Sequence, residues 1–123
     1  MREIKFRAWD KNSKTLYYSY NVGLSGGNMD LLDFQYNIQI QGKDLTLMQY
    51  TGLKDKNGVE IYEGDIVRIK SVGGIFNDVV EWQGSGLKLK NTTRLHSQLE
   101  DYENIEVIGN RFENPELLKE SER

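Results

Sequence analysis

Four carboxylates stand close together near the middle of the chain: Asp55, Glu60, Glu63 and Asp65. Paired carboxylates can act as general acid and base in a glycosidase-like reaction, or hold a metal ion that activates water. A structural reading competes with this one. Asp favours turns because its carboxylate accepts hydrogen bonds from nearby backbone, and Asp55-Lys56-Asn57-Gly58 is itself turn chemistry. The stretch is not a calcium loop, since glycine arrives two places too early. A carboxylate-dependent hydrolase is therefore the weaker reading of this cluster.

Other routes to catalysis are thinner still. The chain has no cysteine, which excludes disulfides and thiolate metal sites. Its single histidine, His96, has Arg94 and Gln98 beside it, so no apolar pocket or triad partner is suggested. One histidine does not build a familiar zinc site. The glycine-bearing stretches 23–27 and 72–74 lack the Gly-Lys-Ser/Thr ending of a phosphate loop and read as plain loops. No catalytic, cofactor-binding or metal-ligating residue is assigned. A non-enzymatic protein with no cofactor is expected.

A binding face is the remaining kind of chemistry. Lys5, Arg7, Trp9, Lys11 and Lys14, with Tyr17, mix cations and aromatic rings in one segment, and Lys88 and Lys90 share a face of another. Such a surface can neutralise phosphates and stack bases. Against it, lysines on exposed strands also protect edges and aid solubility. Charge does not advertise nucleic acid either. Residues 1–90 carry 12 Lys/Arg against 11 Asp/Glu, and residues 91–123 carry 4 against 8. Nucleic acid is a possible partner, not the favoured one.

The elements that must position these residues are mostly strands. Ile4, Phe6 and Ala8 alternate with Lys5, Arg7 and Trp9, which predicts a half-buried strand with Trp9 on the wetter face. Residues 10–14 turn, and Thr15 to Tyr20 returns as the second arm of a hairpin. Gly23 to Asn28 reads as a flexible loop. Phe34 to Gln41 alternates apolar and polar residues over eight positions and predicts a strand, with Leu45 to Thr51 as its partner after a turn at 42–44. Asn57-Gly58 predicts a type I′ turn. Ile66 to Lys70, Val79 to Trp82, Leu87 to Lys90 and Ile105 to Ile108 supply further short strands. Val80 and Trp82 share a face, so Trp82 is expected to be buried. A helix is predicted from Thr92 or Thr93 to Tyr102, with Leu95, Leu99 and Tyr102 on one face. A second, short one starts near Asn114-Pro115.

Three ordered blocks resemble the YopX family of phage and prophage proteins. They are Arg2-Glu3-Ile4-Lys5-Phe6-Arg7-Ala8-Trp9-Asp10, then Leu47 to Gly58 continuing through Glu60-Ile61-Tyr62-Glu63-Gly64-Asp65-Ile66-Val67, then Glu106-Val107-Ile108-Gly109-Asn110 with Glu113-Asn114-Pro115-Glu116-Leu117-Leu118. Arg111-Phe112 departs slightly from an expected aliphatic-aromatic pair. The resemblance implies a small β-rich protein encoded by phages and prophages. It implies no activity, cofactor or site residue.

The expectation is a mainly β fold, with a hairpin-rich region over 1–46, a small SH3-like barrel over 47–118, one or two short helices and a flexible tail over 119–123, packed as one compact unit. The opening residues lack the apolar core of a leader and the longest apolar runs are far too short to span a bilayer, so an address in the bacterial host cytoplasm is expected. The expected role is an accessory protein that binds a macromolecule, with a phage or host protein as partner. A self-assembling oligomer built through sheet edges is the alternative.

Overall fold

The computed structural model describes residues 4–25, 28–42, 44–71, 74–83, 86–89 and 104–119. Eleven strands and one short helix account for most of them, so the protein is mainly β. In chain order they are β1 (Phe6–Asp10), β2 (Thr15–Ser19), β3 (Val22–Ser25), β4 (Asn28–Asp33), β5 (Ile38–Gly42), β6 (Leu45–Lys54), β7 (Glu60–Tyr62), β8 (Asp65–Ser71), β9 (Gly74–Gln83), β10 (Gly86–Leu89), β11 (Ile105–Asn110) and α1 (Glu116–Lys119). The expected helix over 92–102, with His96, falls outside the described residues. The chain divides into two compact units, Met1–Tyr50 and Thr51–Arg123.

In the first unit, β1 lies between β2 and the opening half of β6, antiparallel to both. The hairpin β1–β2 is the one expected, with Phe6 opposite Ser19 and Asp10 opposite Thr15. Its turn is built by Asp10, whose carboxylate accepts the amides of Asn12 and Ser13, and closes through Lys14 at φ 54°. A separate three-stranded sheet follows in the order β3-β4-β5. This sheet corrects three expectations. The segment 23–28, expected to be loop, supplies most of β3 and the start of β4. The segment 34–41 is not one strand, because Phe34 to Asn37 form the turn that leads into β5. And β5 pairs with β4, while β6 pairs with β1. The cause of the second error is Asp33. Its side chain accepts the amide of Tyr36, three residues on, and Asn37 takes up φ 59°. Asn tolerates that left-handed backbone better than most residues. Alternation carried by turn residues looks like a strand from sequence alone.

The second unit holds the antiparallel sheet β10-β9-β8-β11. Its core is Ile61, Val67, Ile69, Val80, Leu89 and Ile105, with Leu53, Phe76 and Val107 packed against them. Each fully buried aliphatic side chain of this kind contributes about 1.5–3 kcal/mol. Strand β11 shifts register between Val107 and Gly109, a bulge that re-aims the chain toward its closing turn. That turn is held by asparagines. The Asn110 carboxamide oxygen accepts the amides of Phe112 and Glu113, and the Asn114 oxygen accepts the amide of Asn110. The expected short helix is present as α1, but the Asn114 side chain reaches back to β11 instead of capping it.

Candidate functional site

The basic-aromatic face expected around the first hairpin does not form as one surface. Lys5, Arg7 and Trp9 are buried, at 7, 5 and 8% exposure, while Lys11 and Lys14 are open on the turn. The expectation that Trp9 faces solvent is thus corrected. The reason is topological. A period of two assumes one wet face, and in β1 successive residues on both faces are covered: Arg7, Ala8 and Trp9 are all buried. Lys5 lays its ammonium over the Tyr50 ring, 4.9 Å from the centroid, a contact that stabilises a desolvated cation. The side chain of Trp82 lies outside the described residues.

The carboxylate cluster has a different occupation. Asp55 Oδ1 accepts the amides of Asn57 (2.8 Å) and Val59 (2.9 Å), and Oδ2 accepts the amide of Val107 (2.9 Å). Burial pushes the Asp55 carboxyl up, but the three backbone donors, of Val107, Val59 and Asn57, and the Lys56 charge outweigh it. The net result lies below the ordinary aspartate value. The carbonyl of Asp55 also accepts the Gly58 amide, and its own amide donates to the Val59 carbonyl. Gly58 sits at φ 84°, while Asn57 does not have positive φ. The turn is therefore of type I with a following left-handed glycine, not type I′. Asp65 is buried and accepts the Tyr62 amide at 2.7 Å, closing the next turn. Both aspartates thus serve turns. Among the described residues, no group of three or more His, Asp or Glu converges to hold a metal ion.

A surface the sequence did not single out is assembled beside β2. Tyr17 and Tyr18 point to opposite faces of that strand. The turn 34–37 straddles its outer edge: the Phe34 amide donates to the Tyr18 carbonyl (2.9 Å), and the Tyr18 amide donates to the fully buried Asp33 carboxylate (2.6 Å). Asp33 accepts the Tyr36 amide through its other oxygen. This clamp sets Phe34 against Tyr20, stacked at 4.7 Å and 26°, and near Tyr18 at 6.2 Å. On the other side Tyr36 meets Tyr17 edge-on at 6.3 Å. Such ring pairs add about 0.5–1.5 kcal/mol beyond burial. Yet Tyr20, Phe34 and Tyr36 keep 50, 45 and 54% of their surface open. No Lys, Arg or His occurs anywhere from Thr15 to Gly42. The signal available in the sequence was the density of Tyr and Phe in 17–36; what hid the site was reading those rings as the inward faces of strands.

A small, mainly β protein with aspartate- and asparagine-built turns and an exposed aromatic cluster is the class that this architecture defines. The chain belongs to the YopX family: residues 5–119 match the family described as YopX protein. It is also similar to a solved structure, the crystal structure of protein EF1440 from Enterococcus faecalis. The TM-score is 0.65 and the identity 26%, covering 96% of this chain and 99% of that one. No curated protein matches. No helix among the described residues is long and apolar enough to cross a membrane.

Proposed function

We propose that this chain is a non-enzymatic accessory protein of phage and prophage genomes that binds another protein through the Tyr20–Phe34 face. The observation that carries this reading is an aromatic patch held open and fixed in place by the buried Asp33 clamp. Large apolar rings left half-exposed are a cost to a monomer unless a partner covers them, and Tyr and Phe are enriched where proteins meet. The absence of cations from Thr15 to Gly42 favours a protein over a nucleic acid, whose phosphates demand them. The two aspartates of the 55–65 segment support a non-enzymatic role, because their oxygens are taken by backbone amides. The second unit is read as the small SH3-like barrel expected from its short strands.

The test is a pull-down from phage-carrying cells with the wild-type chain and the Tyr20→Ser/Phe34→Ser variant, followed by titration of the purified partner. The expected result is one protein retained by the wild type and bound at least tenfold more weakly by the variant. Equal binding by both, or a gel shift with nucleic acid that the variant loses, would overturn the reading. The clamp uses backbone groups of Phe34 and Tyr18, so the variant keeps the turn.

A further inference from the structure

The described sheets protect their edges in unequal ways. The outer edge of β2 is covered by the Asp33 carboxylate and the Phe34 amide, both bonded to Tyr18. The outer edge of β11 is covered in its own unit by the 55–56 turn: the Val107 amide donates to Asp55, and the Ile105 carbonyl accepts the Lys56 amide. Strands β3 and β5, the two edges of the three-stranded sheet, have none of these devices, and β5 is the longer. It closes the order β3-β4-β5, pairs only with β4, and reads Ile38-Gln39-Ile40-Gln41-Gly42, without charge or proline. Among the described residues nothing is bonded to its far side. Ile38 and Leu32, on neighbouring strands, are exposed. Natural sheets seldom leave an edge so plain.

We propose that β5 is a self-pairing edge, and that two copies of the chain join antiparallel through it into one six-stranded sheet. This goes beyond the aromatic face and does not depend on it. The occupant follows from the strand's own chemistry. A two-fold axis sets the strand against its own copy in reverse order, so a residue on the axis meets itself and charges of one sign along the strand would face one another. This strand has no charge to repel. Full overlap of the five residues about the axis selects the register. Ile40 opposite Ile40, with Gln39 opposite Gln41, keeps isoleucines on one face and glutamines on the other. A shift by one residue would set Ile against Gln and turn one sheet over. Five paired residues bury less than the roughly 800 Å² per partner of a standard stable interface, so the dimer forms reversibly with concentration.

Sedimentation equilibrium from micromolar to millimolar protein tests this. The expected mass rises from 14.3 kDa toward twice that value. Gln39 and Gln41 are exposed, so Gln39→Lys/Gln41→Lys puts four cations together across the axis without disturbing the core. It should weaken association at least tenfold. Gln39→Lys/Gln41→Glu pairs each cation with an anion of the other copy and should restore it, with circular dichroism showing both variants folded. A wild type that stays monomeric overturns the proposal. So do variants that associate alike, and so does a mass that climbs past two chains, because the two-fold pairing consumes the edge.

Discussion

Asp55→Ala should be among the most costly single changes in the second unit. The carboxylate holds three backbone amides at 2.8–2.9 Å. They do not count equally. Asn57 and Val59 lie on an exposed turn, where water replaces the lost acceptor, so each costs about 0.5 kcal/mol. The Val107 amide belongs to a half-buried strand, and leaving it unpaired costs about 1–3 kcal/mol. Together these give about 2–4 kcal/mol, read as a fall in the urea midpoint at neutral pH. Asp55→Asn keeps one acceptor oxygen but turns an NH₂ toward an amide donor, and should cost about 1–2 kcal/mol. The pH dependence separates charge from shape. The folded carboxyl lies below its unfolded value, so the unfolded chain binds more protons at acid pH. Its contribution is full above the unfolded pKa, and is lost as pH falls through the folded one. The stability gap between wild type and Asp55→Asn should therefore narrow on acidification below about pH 4. An Asp55→Ala midpoint within error of wild type, or a gap that widens in acid, would refute the reasoning.

Further outcomes follow from single positions. Gly58→Val should lower stability by about 1–3 kcal/mol, purely through backbone strain at φ 84°, since a Cβ there meets nothing within 4 Å; an unchanged urea midpoint would count against it. Gly109→Ala should cost about 1–3 kcal/mol for the opposite reason, because its Cβ would stand 2.5 Å from the Asn114 oxygen and force apart the asparagine turn. The same substitution in an Asn114→Gly background should be milder, which a double-mutant cycle measures. In a Trp82→Phe chain the remaining Trp9 should be quenched only weakly by iodide, as its burial requires; strong quenching would place it in solvent.

Local chemistry was the most legible part of the fold. The first hairpin, β8, β10 and β11 follow from alternation and turn residues, which mark a strand locally even where, as for β11 on β8, its partner is distant in sequence. The three-stranded sheet was not legible, and the reason lies in two residues. Asp33 converts an alternating run into a turn, and Gly23 disguises β3 as a loop. Pairing of β6 with β1 spans some forty positions, and no local pattern encodes a choice between β5 and β1 as partner. The binding face failed in the same way. Lys5, Arg7 and Trp9 alternate as an outer face would, but both faces of β1 are covered, which no local pattern encodes. The tyrosines of 17–20 and the rings of 34–36 were visible as residues; that a buried carboxylate folds one set against the other was not.

The residues that carry the family likeness acquire a common meaning once their partners are known. Asp55, Gly58, Gly64, Asp65, Gly109, Asn110 and Asn114 all sit where the chain reverses or bulges. Gly64 donates its amide to the Val80 carbonyl and accepts the Arg111 amide, joining three segments at a point with φ 85°. Asp55 ties its turn to β11, and Asn110 ties β11 to the closing turn. A reacting centre needs polar groups left available to a substrate. The oxygens of these Asp and Asn side chains are instead spent on backbone amides, and these glycines supply conformation or clearance. Such a signature specifies a scaffold. Under the proposed protein-binding role, the contacts that differ from one partner to the next fall on the aromatic rings of 17–36, in the stretch between the matching blocks.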